Sequence, residues 1–257
     1  MKVIVLAGGL GSRISEETTS KPKPMVSINE EPILSHIFRI YAMQGITDFI
    51  VALGYKGEII SDWIQRKASG KKGNSYLIDL NLDHRPGQAR NIQISVEAID
   101  TGLNTQTGGR ILKCMDRYPD EAMLATYGDG LANVSIPKLL AFHLAAQKLC
   151  TVTAVRPAAR FGFLEIQDGL VSHFGEKDQA DSGWINGGFF VLQPSVKDYI
   201  ENEFEPFETG ALARLVKNNQ LAAYQHFSFF KPMDTLREKN ELEEMAKRST
   251  PPWIDIN

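Results

Sequence analysis

Short apolar runs closed by glycine alternate with longer stretches whose apolar residues recur every three or four positions, and that alternation predicts an α/β fold. Residues 3–6 are apolar, mostly β-branched, and stop just before Gly8-Gly9, the signature of a strand covered on both faces. Over residues 32–44 the positions Ile33, Leu34, Ile37, Phe38, Ile40 and Tyr41 make one helical stripe, with Pro32 in the first turn and Gly45 to end it. Residues 49–53 repeat the apolar run and again meet a glycine. A strand, a helix and a strand at this spacing predict a right-handed parallel crossover, the opening of a Rossmann-like, doubly wound sheet.

The pattern changes over residues 68–100. Residues 69–74 and Arg85-Pro86-Gly87 read as solvated turns, so antiparallel strands are expected as an insert in a mixed sheet. The alternation then resumes, with helix over 108–117, strand over 123–126, helix over 137–148 and strand over 151–155. Residues 161–166 and 170–174 flank Gln167-Asp168-Gly169, a hairpin signal. Residues 184–192 read as a strand interrupted by Gly187-Gly188, and helices are expected near 209–218 and 235–247. No repeat, low-complexity tract or linker divides the chain, so residues 1–257 read as a single domain with an insert at 68–100.

Composition narrows the function. With 257 residues, 43% of them hydrophobic, there is ample material for a core. A net charge of −3 gives no reason to expect a surface that coats nucleic acid. The apolar runs are too short to cross a bilayer, and residues 1–7 lack the apolar length of a signal sequence. Cys114 and Cys150 have no metal-binding spacing and read as two packed thiols of a reduced, cytoplasmic protein.

Four segments carry candidate chemistry. In residues 6–13 the glycines let backbone N–H groups approach a phosphate chain, and Arg13 follows within reach of the same oxygens. In Lys21-Pro22-Lys23-Pro24-Met25 the prolines argue for an extended path, which would point Lys21 and Lys23 the same way. In Tyr127-Gly128-Asp129-Gly130 a carboxylate stands at the carboxyl end of a strand, where open sheets bind ligands and where Mg²⁺ finds oxygen donors. Thr235 and Glu238 have capping-box spacing, which leaves Asp234 outside the helix as a second metal carboxylate, unless Asp234 is itself the cap. Trp184 and Tyr127 could stack on a ligand or pack, and none of the five histidines forms a catalytic constellation.

Together with Thr107-Gly108-Gly109-Arg110, Asn186-Gly187-Gly188 and the segment 232–237, these motifs resemble the sugar nucleotidyltransferases, in order and over nearly the whole chain. The resemblance weakens over 65–95, and residues 15–18 and 100–110 are nearest the branch that transfers a cytidylyl group to glucose 1-phosphate. It implies the nucleotide-diphospho-sugar transferase fold and the conversion of CTP and α-D-glucose 1-phosphate into CDP-glucose and pyrophosphate. Carried over residue by residue, Leu6, Ala7, Gly8, Gly9, Leu10, Gly11, Ser12, Arg13, Lys23, Thr105, Arg110 and Gly128 would hold the nucleotide. Glu176, Lys177, Asn186 and Gly187 would line the sugar-phosphate side, although Asp178 stands where the family usually has proline. Asp129 and Asp234 would bind Mg²⁺, and Arg13, Lys23 and Asp129 would be the catalytic groups. The implied partners are small molecules, with no nucleic acid or membrane; a homo-oligomer stays open. Alternatives are the same transfer with UTP, dTTP or another sugar, or a nucleotide sensor without turnover. A dinucleotide oxidoreductase is disfavoured, because Ile14 takes the last glycine position of that fingerprint.

Overall fold

The structure, a computed structural model, describes residues 1–82, 90–156, 163–167, 170–175 and 183–256. Strand β1 (Lys2–Leu6) leads through a short helix α1 (Ser15–Thr18) and a small hairpin, β2 (Ser27–Ile28) and β3 (Glu31–Pro32), into helix α2 (Ile33–Ala42). Pro32 occupies the N-cap rather than the first turn, and Gly45 takes φ +83° just past the helix end. Strand β4 (Asp48–Leu53) lies parallel to β1 with Val3 opposite Phe49, which completes the expected crossover.

Helix α3 (Gly57–Lys67), which the sequence reading did not anticipate, buries Ile60 and Ile64 one turn apart. The segment 68–100 then gives β5 (Ala68–Lys72), β6 (Ser75–Asn81) and β7 (Asn91–Asp100). The antiparallel pairing expected there is present between β5 and β6 and between β6 and β7. β7, however, also runs parallel to β4 with Ile50 opposite Glu97, so the segment extends the central sheet.

The alternation continues with α4 (Thr107–Asp116), β8 (Met123–Tyr127), β9 (Gly130–Ala132), α5 (Ile136–Ala146) and β10 (Cys150–Val155). Strands β11 (Phe163–Gln167) and β12 (Leu170–Gly175) pair antiparallel as the hairpin signal predicts, while the turn residues Asp168 and Gly169 lie outside the described residues. The interrupted strand appears as β13 (Ile185–Asn186) and β14 (Phe190–Leu192), both antiparallel to β10. Helix α6 (Ala211–Lys217), β15 (Leu221–His226), β16 (Phe230–Pro232) and α7 (Leu236–Ala246) complete the described order.

The large sheet has the strand order β13-β10-β14-β8-β1-β4-β7-β6-β5, with β15 beside β10. Its centre is parallel, since β1 pairs in that sense with both β4 and β8. Side chains alternate across the sheet, so Val3, Val5 and Val51 join one core with α2, α3, α5 and α7. Ile4, Leu6, Ile50 and Ala52 join the other with α4 and α6. A helix layer therefore covers each face, which is why the strands are apolar throughout rather than alternating. No helix among the described residues is long and apolar enough to cross a membrane.

Candidate active site

A cleft of about 1030 Å³ opens where β1 and β8 end, and residues 6–13, 103–107 and 126–130 line it together with Lys23, Arg110, Asn186, Gly187, Glu208 and Asp234. This is the carboxyl edge of the parallel strands, the position at which open α/β sheets receive ligands. The loop leaves β1 at Ala7, whose N–H donates to Ala52 O at 3.0 Å. Gly11 turns it back with φ +65°. Gly8 is pinned from below: a Cβ there would lie 2.2 Å from the Arg110 guanidinium, whereas one at Gly9 would meet nothing within 4 Å. The loop is thus packed on one side and open to a ligand on the other.

Two carboxylates from distant parts of the chain meet in this cleft. β16 pairs antiparallel with β9, setting Pro232 opposite Gly130, and Met233 N–H donates to Asp129 O at 2.9 Å. That register places Asp234 beside Asp129. The Lys23 ammonium contacts Asp129 Oδ2 and Asp234 Oδ1, each at 2.6 Å, so these oxygens are at most twice that distance apart. Arg13 Nη1 donates to Asp234 Oδ2, also at 2.6 Å. Burial pulls the Lys23 ammonium down, but Asp129 and then Asp234 outweigh it and hold its pKa above the usual lysine value. Lys23 is therefore a fixed positive charge and not a base.

The helix after Asp234 fixes its direction. Thr235 is the N-cap of α7 in a complete capping box: Glu238 N–H donates to Thr235 Oγ1 at 3.2 Å, and Thr235 N–H donates to Glu238 Oε2 at 2.9 Å. Asp234 N–H also donates to Glu238 Oε2, at 2.8 Å, leaving the Asp234 carboxylate to face Lys23 and Arg13. Thr235→Ala is expected to cost about 1 kcal/mol, read as a fall in Tm of roughly 2–4 °C. An unchanged Tm would show that the cap carries no stability.

Other site residues fall in two groups. Gly128 N–H donates to Leu6 O at 3.0 Å, joining the two strand ends beneath the cleft. Thr105 is buried and donates through Oγ1 to Thr101 O at 2.5 Å. Arg110 reaches into the cleft wall, but its guanidinium is engaged by backbone carbonyls, among them Gly8 O at 2.9 Å and Leu53 O at 2.7 Å. Lys21 is not aligned with Lys23. Lys23–Met25 form a 3₁₀ turn instead of an extended run, and Lys21 pairs with Glu17 at 3.4 Å. The prolines hold φ near −65°, which suits that turn as well as an extended chain. Glu176 and Lys177 lie outside the described residues. Glu208, which sequence reasoning missed, enters the cleft beside Tyr127.

Comparison with known proteins places this architecture. The nucleotidyl transferase family model matches residues 2–256. The chain belongs to the nucleotidyl transferase family. A glucose-1-phosphate cytidylyltransferase of Salmonella typhi is 42% identical to this nucleotidyl transferase over an alignment that covers 98% of each protein. A D-glycero-alpha-D-manno-heptose 1-phosphate guanylyltransferase of Aneurinibacillus thermoaerophilus is 29% identical, over 79% of this chain and 85% of that protein. The crystal structure of HddC from Yersinia pseudotuberculosis complexed with GMP-PN superposes with a TM-score of 0.66, covering 95% of this chain and 98% of that one. At 22% identity it shows the shared fold, the nucleotide-diphospho-sugar transferase type implied by the sequence motifs.

Proposed function

We propose that this nucleotidyl transferase joins CTP and α-D-glucose 1-phosphate to give CDP-glucose and pyrophosphate. The observation that carries the chemistry is the meeting of Asp129, Asp234, Lys23 and Arg13 around one glycine loop. The choice of CTP and glucose 1-phosphate rests on the 42% identity to the Salmonella typhi protein over almost all of both chains. In this reading a phosphate oxygen of the sugar forms a bond to the α-phosphorus of CTP. The bond from that phosphorus to the β-phosphate's bridging oxygen breaks, and its electron pair leaves with pyrophosphate. The attacking group is already an anion, so no protein nucleophile or general base is needed.

The obstacle is charge, and the side chains answer it. Backbone N–H groups of residues 8–11 face the triphosphate, and Lys23 and Arg13 offset its oxygens. Asp129 and Asp234 fit Mg²⁺: the Lys23 ammonium already stands between their oxygens as a cation, and two carboxylates plus substrate phosphates suit that ion. Among the described residues no cluster of three or more His, Cys, Asp or Glu side chains could hold a metal alone, which leaves the remaining ligands to the nucleotide. When bound, Mg²⁺ supplies charge neutralisation on the triphosphate. Thr105, Arg110 and Gly128 shape the nucleotide wall, while Asn186, Gly187, Glu176 and Lys177 serve the sugar phosphate. We place the reaction in the cytoplasm, a reading supported by Cys114 and Cys150, which are both buried free thiols.

A panel of CTP, UTP, dTTP and GTP against glucose 1-phosphate, read by pyrophosphate release, tests the proposal. CTP is expected to exceed the other nucleotides in kcat/KM by roughly 100-fold, the penalty for leaving one buried polar partner of the base unpaired. Full turnover with UTP and none with CTP would overturn the nucleotide assignment.

A further inference from the structure

A chain of hydrogen bonds crosses the cleft wall from the nucleotide side to the sugar side. Phe207 N–H donates to Thr107 Oγ1 at 2.8 Å, and Thr107 Oγ1 donates to Glu208 Oε2 at 2.7 Å. Tyr127 Oη donates to Glu208 Oε1 at 2.6 Å. Asn186 Nδ2 donates to Tyr127 Oη at 2.8 Å, and Asn186 Oδ1 accepts from Gly188 N–H at 2.8 Å.

The direction of every proton in this chain is determined. The backbone N–H of Phe207 can only donate, so Thr107 must pass its own proton to the carboxylate. The N–H of Gly188 can only donate, so the Asn186 carbonyl faces it and the amide nitrogen faces Tyr127. With the Glu208 carboxylate as acceptor, the phenol proton is committed to it, and Tyr127 Oη has to accept from Asn186. Burial, reinforced by the Glu208 charge, raises the phenol pKa far above the ordinary tyrosine value, so that proton stays in place. What remains for a ligand is small and specific: one lone pair on Tyr127 Oη and one N–H on Asn186. Both residues line the cleft, and Asn186 is exposed.

We infer that Glu208 is a positioning residue that makes Tyr127 Oη an obligate acceptor, so that with Asn186 it selects a sugar 1-phosphate by one ring hydroxyl that donates and an adjacent oxygen that accepts. This rests on the proposed sugar-phosphate transfer and adds how the sugar is chosen. A hydroxyl that donates a hydrogen bond to Tyr127 has no equivalent in a deoxy sugar. The analogue would leave the remaining Oη lone pair without the donor it is set to receive, and a site built around such a hydrogen bond discriminates against a sugar that lacks it.

The test uses the full chain with CTP, Mg²⁺ and glucose 1-phosphate or its 2-, 3-, 4- and 6-deoxy analogues, read by pyrophosphate release. For the parent protein, kcat/KM is expected to fall about 100-fold on one of the deoxy sugars. In Tyr127→Phe that same analogue and glucose 1-phosphate are expected to be used within about threefold of each other, with KM for CTP unchanged. Glu208→Gln, which keeps the volume but frees the phenol proton, is expected to shrink the same discrimination at least tenfold while leaving KM for CTP unchanged. If Tyr127→Phe and Glu208→Gln both keep the parent's ratios across the deoxy series, the inference fails while the proposed function stands. If the parent releases no pyrophosphate from any nucleotide and sugar 1-phosphate pair, the proposed function fails and takes this inference with it. Circular dichroism melts of both variants exclude misfolding as the cause of any loss.

Discussion

Asp129→Asn is expected to lower pyrophosphate release by roughly three orders of magnitude at saturating substrates, with an unfolding transition close to that of the parent. The substitution keeps the shape of the side chain and removes its charge. Asp129 holds the chain through its backbone carbonyl, which accepts from Met233 N–H, and that bond survives. What is lost is one of the two carboxylates that Lys23 bridges, and with it half of the negative charge proposed to hold a divalent ion against the triphosphate. Lys23 retains Asp234 as a partner, so the ammonium is not stranded without a counter-charge. Rate assays at increasing Mg²⁺ provide the check. A near-parental rate at high Mg²⁺ would remove Asp129 from the reacting site.

The second large effect falls on stability. Arg110→Ala is expected to destabilise the fold by about 3 kcal/mol, read from the midpoint of urea denaturation. Arg110 is 4% exposed, and its guanidinium ties together three chain segments that form the cleft wall. Nη1 shares its two N–H groups among Leu53 O at 2.7 Å, Thr101 Oγ1 at 2.5 Å and Gly102 O at 3.0 Å, and Nη2 donates to Gly8 O at 2.9 Å. Burial lowers the Arg110 pKa below the usual arginine value, with Asp100 partly offsetting it, so the cation is held at a cost that the carbonyls repay. Truncation removes the donor of Gly102 O and one bond each from Gly8 O and Leu53 O, which keep only Tyr55 N–H and the Thr101 donors. Arg110→Lys is not expected to restore the loss, because one ammonium cannot replace a planar fork serving several acceptors. A change below 1 kcal/mol for Arg110→Ala would show that water satisfies the carbonyls and that Arg110 is not a structural tie.

Arg110 also shows where sequence motifs stop being informative. The resemblance assigns it to the nucleotide, and its position in the cleft wall agrees with that neighbourhood. Its Nη1 and Nη2 donors, however, serve backbone carbonyls and the Thr101 hydroxyl around the loop, a role set by contacts with residues 8, 53, 101 and 102 that no local spacing records. The β1–α2–β4 crossover was legible because each element buries a face whose period can be read directly. Asp129 and Asp234 were legible for a related reason: each follows a strand end, and the Thr235–Glu238 spacing names the cap and so frees the residue before it.

The misses have physical causes as well. Helix α3 carries Ile59, Ile60, Trp63 and Ile64 at helical spacing, but it opens on a glycine and its outer face is highly polar, which hides the stripe. Lys21 was placed by a period of two that holds only in a strand, and the Pro22-Lys23-Pro24 path closes into a 3₁₀ turn. Glu208 sits among several other acidic residues ahead of α6, and only the fold singles it out by bringing Tyr127 and Thr107 to it.

In the proposed reaction Asp129 and Asp234 together form one divalent-ion site against the nucleotide triphosphate. A crystal structure of the chain soaked with CTP and Mg²⁺ decides whether that site exists. A single ion touching both carboxylates is expected, with Lys23 and Arg13 turned from Asp234 onto phosphate oxygens. An ion bound away from either carboxylate, with Lys23 still bridging Asp129 and Asp234, would contradict it.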